Sequence, residues 1–205
     1  LRKNDVGDER GMLAGISLLE FAGLRAQAQS RLEQLVERFP GSITAHDRWR
    51  TRLMVDLGAE RMRHRYAKYV TDAKDRATAQ WYAGYAALIA AERHTLDSRS
   101  IEAENAYSDC IERFLASAAS NDAYLDTAHH YAVLALAGRA EIRHLRKNSR
   151  GAVKDLVQAA ELRPGSLDED DGLKRKPRAI AARIHAALTS AGKTELAEQL
   201  TDILR

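Results

Sequence analysis

The sequence is poor in the residues that interrupt or crosslink a chain. It holds three prolines and one cysteine among 205 residues. A lone cysteine, Cys110, forms no intrachain disulfide, which fits a reducing compartment without excluding export. Few prolines and few β-branched apolar runs exclude an extensive sheet. No apolar stretch reaches the ~18 residues a membrane span needs, so no transmembrane helix is expected. HExxH, paired CxxC, a glycine-rich phosphate loop and GxSxG are all missing, which removes the best-marked zinc, nucleotide and serine-hydrolase classes. Neither an initiator methionine nor a signal peptide is present, so the chain reads as a domain of a longer protein or a mature form, in cytoplasm or periplasm. Charge of one sign is lacking too. The 32 cations stand against 29 anions, and a net charge of +3 argues against a dedicated polyanion binder.

What the chain does hold is helix-forming residues and a repeat. Hydrophobic residues make up 45% of it, and alanine, leucine, arginine and glutamate are plentiful. Gly23 is followed by Ala28, Leu32, Leu35 and Pro40, at 5, 9, 12 and 17 positions. Ala152, Leu156, Ala159 and Pro164 repeat the later part of that spacing, and Gly192, Ala197, Thr201 and Leu204 the earlier part. Met62, Tyr66 and Tyr69 lie 34 residues beyond Ala28, Leu32 and Leu35. Apolar spacing of three and four predicts ten helices, over 11–22, 25–39, 44–57, 59–71, 76–93, 99–116, 122–146, 150–162, 178–191 and 194–204. Asp97-Ser98 is expected to cap the sixth, and Ser166 and Glu169 have capping-box spacing. The interval from Trp81 to Ala103 is six residues too long for the repeat, which extra helical turns would absorb. Residues 1–10 read as a flexible lead-in, 11–205 as one domain, and Arg163 to Lys176 as an inter-repeat loop. Helix pairs of this kind bury their apolar faces only by stacking on neighbours.

The pattern resembles the tetratricopeptide repeat (TPR), whose helix pairs carry a bulky residue in the first helix, a glycine at the hinge, alanines around an aromatic in the second, and a closing proline. Gly23, Ala28 and Pro40 match in the first repeat; Trp81, Ala103 and Tyr107 in the third, with Cys110 in place of alanine. Ala152, Ala159 and Pro164 match in the fourth, and Gly192 and Ala197 in the fifth; the second diverges most, with Met62 at an alanine position. The resemblance implies an all-α fold: a right-handed α-α superhelix (solenoid) of about five antiparallel TPR-like helical pairs. It implies a protein-interaction scaffold, not an enzyme, with a peptide or partner helix in a concave groove and no cofactor or metal. Carried over by position, the groove residues are Asp47, Arg48, Thr51, Tyr82, Ala86, His129, Val133 and Arg183. Phe39-Pro40-Gly41-Ser42 before a helix also resembles repeats of bacterial envelope-assembly proteins.

Two other classes stay open. Basic clusters at Arg48 to Lys68, Arg139 to Arg150 and Lys174 to Arg183 offer an RNA site or solvated faces, and interleaved acids with few aromatics favour the latter. A terminal repeat could self-associate into a homo-oligomer. The seven histidines are scattered, and only a bound metal or a clustering of His94, His129 and His144 would support a histidine site for catalysis. Cys110 reads as a small buried hydrophobe.

Overall fold

In a computed structural model, residues 3–205 are described, with side chains from Asp8 onward. Ten α-helices follow one another in five pairs: α1 (Lys3–Phe21) with α2 (Arg25–Arg38), α3 (Ile43–Leu57) with α4 (Ala59–Asp72), α5 (Arg76–Leu96) with α6 (Ser100–Ser120), α7 (Leu125–Leu145) with α8 (Ser149–Leu162), and α9 (Pro177–Ser190) with α10 (Thr194–Glu198). No strand occurs among the described residues. Each helix packs on the next in sequence, and α7 also meets α5 and α9, so these odd-numbered helices adjoin. The chain is an all-α solenoid of stacked helix pairs. No helix among the described residues is long and apolar enough to cross a membrane.

The odd helices all stop at a residue of positive φ. Gly23, Gly58, Ser98, Lys147 and Gly192 follow α1, α3, α5, α7 and α9, and each has a left-handed backbone, with φ of 72°, 81°, 58°, 67° and 69°. At four of these ends the next N–H reaches back five residues: Leu24 to Leu19, Arg99 to His94, Asn148 to Arg143 and Lys193 to Leu188, at 2.8–2.9 Å. These bonds satisfy carbonyls that the ending helix would otherwise orphan. Ser98 therefore closes α5; the expected cap of α6 falls instead on Arg99, which makes no side-chain capping bond.

The even helices share a register. α2 and α4 have 14 residues each and begin at Arg25 and Ala59, the 34-residue period seen in the sequence. Ala28, Leu32 and Leu35 are buried, as are Met62 and Tyr66, then Ala103, Tyr107 and Cys110, then Ala152, Leu156 and Ala159. The middle of the array departs from the period because α5, α6 and α7 run to 21 residues each, against 15 for α3. These long helices approach closely through alanine and glycine. Phe114 fills the space over Gly84, where a Cβ would lie 3.1 Å from the ring, and the Tyr107 ring fills the space over Gly138, where a Cβ would lie 2.5 Å from Cζ.

Three local expectations are corrected. The first helix, expected from residue 11, begins at Lys3, while residues 1–2 lie outside the described residues. The last helix, expected over 194–204, ends at Glu198; a turn and a short 3-10 segment, Asp202–Leu204, complete the chain, because burying both Leu200 and Ile203 bends it onto α9. Ser166 makes no capping box: its hydroxyl lies between His130 Nδ1 (3.0 Å) and Arg163 Nη1 (2.5 Å), within the 3-10 turn Pro164–Asp168.

Serine and lysine are strained in a left-handed conformation that glycine adopts freely. Ser98→Gly and Lys147→Gly are each expected to stabilise the fold by about 0.5–1 kcal/mol, after the added entropy of the unfolded chain is set against the relief. Gly138→Ala should do the reverse despite its better helix propensity, costing about 1–3 kcal/mol through overlap with Tyr107. Urea unfolding of the three variants beside wild type measures both signs.

Candidate binding face on the odd-numbered helices

The eight residues placed in the groove by resemblance do not share one surface. Asp47 and Thr51 are exposed on α3, His129 is half-buried on α7, and Arg183 is exposed on α9. Arg48 turns toward α1, where its Nη1 donates to Ser17 Oγ at 2.9 Å and to the Leu13 carbonyl at 3.4 Å. Tyr82, Ala86 and Val133 are core residues, with 6%, 0% and 0% of their surface exposed. Tyr82 stacks on the buried His46 ring at 3.5 Å and donates to the Gly41 carbonyl at 3.2 Å. The resemblance matches Trp81 to the bulky position of the repeat's first helix, but the more buried ring is its neighbour Tyr82. A slip of one residue turns a helix by about 100° and exchanges core for surface.

Trp81, Tyr85 and Tyr131, all half-buried, occupy the surface instead. One helical turn separates Trp81 from Tyr85 on α5, so their rings stack at 5.8 Å with 6° between planes. Tyr131 from α7 meets both edge-on, at 5.8 and 5.3 Å, and lies over Phe114 of α6 at 5.3 Å. From α3, Arg50 places its guanidinium carbon 4.7 Å from the Tyr85 ring centre while pairing with Asp47. Three successive odd helices thus join in one aromatic floor with a cation at its edge. Trp81 is held in place by its indole N–H, which donates to Thr127 Oγ1 at 3.2 Å. Sequence reasoning missed Tyr85 and Tyr131 as surface residues; the four-residue spacing of Trp81 and Tyr85 was the available signal.

Farther along the same helices lies a polar site. Glu92 of α5 accepts the Gly172 N–H at 3.0 Å, although Gly172 belongs to the loop between α8 and α9. Arg175 of that loop donates to Glu141 of α7 at 2.5 Å, to the Tyr107 hydroxyl of α6 at 2.9 Å and to Asp171 at 2.8 Å. Asp171 also accepts the N–H groups of Leu173 and Arg175, at 2.9 and 2.7 Å, which gives the loop a fixed turn. The segment expected as a simple connector is therefore folded onto α5, α6 and α7. Burial, with the Asp171 carboxylate next, pushes the Glu92 carboxyl up to about 7, against the Gly172 N–H and Arg175.

No family model matches the chain, and no curated protein does. Among solved structures it is similar to one titled "Functional Characterization of Pseudomonas Aeruginosa pilF". The TM-score is 0.45 at 14% identity, over 98% of this chain and 77% of that one.

The basic clusters are largely neutralised within the fold. Asp155, 1% exposed, takes two bonds from Arg139 (3.0 and 2.7 Å) and two from Arg143 (2.9 Å each). Arg143 and Arg146 also pair with Glu104, Arg63 with Glu60 and Asp109, Arg65 with Glu33, and Arg178 with Asp168. Arginines held by carboxylates within the fold are less available to a phosphate backbone. The histidines do not gather: His129 and His144 share α7 and stand about 22 Å apart along it. Among the described residues no group of three or more His, Cys, Asp or Glu side chains could hold a metal ion. Cys110 is fully buried, and burial, with Asp109 next, pushes its thiol well above the usual range.

The raised Glu92 pKa has a defined consequence for stability. The fold binds its proton more tightly than the unfolded chain, whose value is near 4.5. Its contribution is complete below pH 4.5 and is lost as the pH rises through about 7. Glu92→Gln removes that dependence, so wild type is expected to lose about 2–3 kcal/mol relative to the variant between pH 4.5 and 8. Urea unfolding of both proteins across this range gives the difference.

Proposed function

We propose that the chain is a protein-interaction scaffold whose odd-helix face binds a segment of a partner protein. The observation that carries this reading is the floor of Trp81, Tyr85 and Tyr131, partly exposed and contiguous across α5 and α7, with Arg50 at its border. Aromatic side chains give large contact area at low entropic cost and anchor recognition surfaces, and Arg50 can grip a carboxylate or carbonyl beside them. Rigid helices hold these groups in advance, which reduces the ordering cost of association. The resemblance to tetratricopeptide arrays, which take peptides on their first helices, agrees with this face. Pairing of the basic clusters with internal acids disfavours RNA as the partner.

Peptides selected from a random displayed library on wild type test the assignment. Tyr85→Ala with Tyr131→Ala, verified as folded by circular dichroism, is expected to weaken the selected peptides at least about tenfold, the scale of one anchor residue. Selected peptides that bind the double variant as tightly as wild type would remove this face from the proposal.

A further inference from the structure

The polar site beyond the aromatic floor has the form of a receptor with an internal occupant. Its fixed parts stand on helices: Glu92 on α5, Tyr107 on α6 and Glu141 on α7. Its other parts, Asp171, Gly172 and Arg175, all belong to the loop between α8 and α9. Take the loop away, and the helices offer two carboxylates and a hydroxyl. Glu141 meets Nη1 of Arg175 at 2.5 Å and Tyr107 meets Nη2 at 2.9 Å, the two prongs of one planar guanidinium. Such a fork suits arginine; a lysine ammonium supplies a single point of charge. Glu92 adds an acceptor for a main-chain N–H three residues before the arginine, as Gly172 shows. The Tyr107 ring cannot drift, because it is 1% exposed and fills the space over Gly138. Arg183 of α9 takes the other oxygen of Glu141 and leaves one for an occupant.

We propose that Glu92, Tyr107 and Glu141 form an arginine-binding pocket, filled here by the chain's own Arg175, and that a partner segment bearing an arginine exchanges with it. Glu92 lies two turns along α5 from Tyr85, about 10 Å, so an extended segment resting on the aromatic floor reaches the pocket within a few residues. The exchange rests on the binding face proposed above, whereas the pocket stands on its own geometry. Asp171 of the loop also holds Arg175, through Nε at 2.8 Å and Nη2 at 2.7 Å, so an arginine that replaces the loop keeps the Glu141 and Tyr107 contacts and loses that carboxylate.

The test vacates the pocket and offers it a small guanidinium. Arg175→Ala is titrated with N-acetyl-L-argininamide, and separately with N-acetyl-L-lysinamide, followed by NMR at Tyr107, Glu141 and Glu92. The expected result is saturable binding of the arginine compound, at least about fivefold tighter than the lysine compound, and abolished by adding Glu141→Gln. Wild type, whose pocket is filled, should show no saturation at the same residues. No saturable shift in Arg175→Ala, or equal affinity for the two compounds, would overturn the pocket. If Arg175→Ala does not fold, Arg175→Gln takes its place with the same criteria. The outcomes separate from those of the binding face. Peptides anchored on Tyr85 with no arginine response remove the pocket alone, and an arginine response without selected peptides removes the face and the exchange.

Discussion

The close approach of α5, α6 and α7 is the constraint on which the rest of the structure depends. Tyr107 enters the gap that Gly138 leaves on α7, and Phe114 the gap that Gly84 leaves on α5. Alanines line the remaining contacts: Ala83, Ala87, Ala90 and Ala91 on α5, Ala103 and Ala106 on α6, and Ala132, Ala135 and Ala140 on α7 are all buried. With backbones this near, small shape changes have nowhere to go, since protein interiors pack as tightly as organic crystals. The same ring that locks α6 to α7 also presents its hydroxyl to Arg175. Core packing and the candidate pocket thus share one residue.

Charge is handled by pairing inside the fold. Burying Asp155 without partners would cost several kcal/mol, and the two arginines from α7 supply both charge and hydrogen bonds at it. His46 shows the other solution: burial lowers its pKa to about 3, so the ring stays neutral against Tyr82 and the Pro40 carbonyl. These arrangements consume the arginines that a sequence reading groups into basic patches. They leave Arg50 beside an aromatic ring and Arg175 in a pocket as cations with a different setting.

The site was less legible than the fold. Arg50, Trp81, Tyr85 and Tyr131 were present to be read, but their placement depends on helix phase, and the consensus supplied the wrong phase for α5. The pocket was illegible for a different reason. Gly172 and Glu92 are 80 residues apart, and nothing in either local sequence states that a polar loop returns to an earlier helix. A lone acid within the alanine-rich run of α5 was a faint sign, since such a carboxylate needs a partner when buried.

The sequence by itself determined the number and order of the helices, the inward faces of the even helices and the 34-residue offset between α2 and α4, because apolar spacing and chain-reversing turns are local properties. It also determined the burial of Cys110 and the extra length of α5 and α6. Only the tertiary structure decided which face of α5 meets solvent, that Ser98 and Lys147 take the left-handed role of glycine, and where the arginines spend their charge. It alone folded the loop before α9 onto α5, α6 and α7. These outcomes depend on which neighbours arrive at a given surface, and a change of one residue in helical phase, or one carboxylate from a distant helix, reverses them.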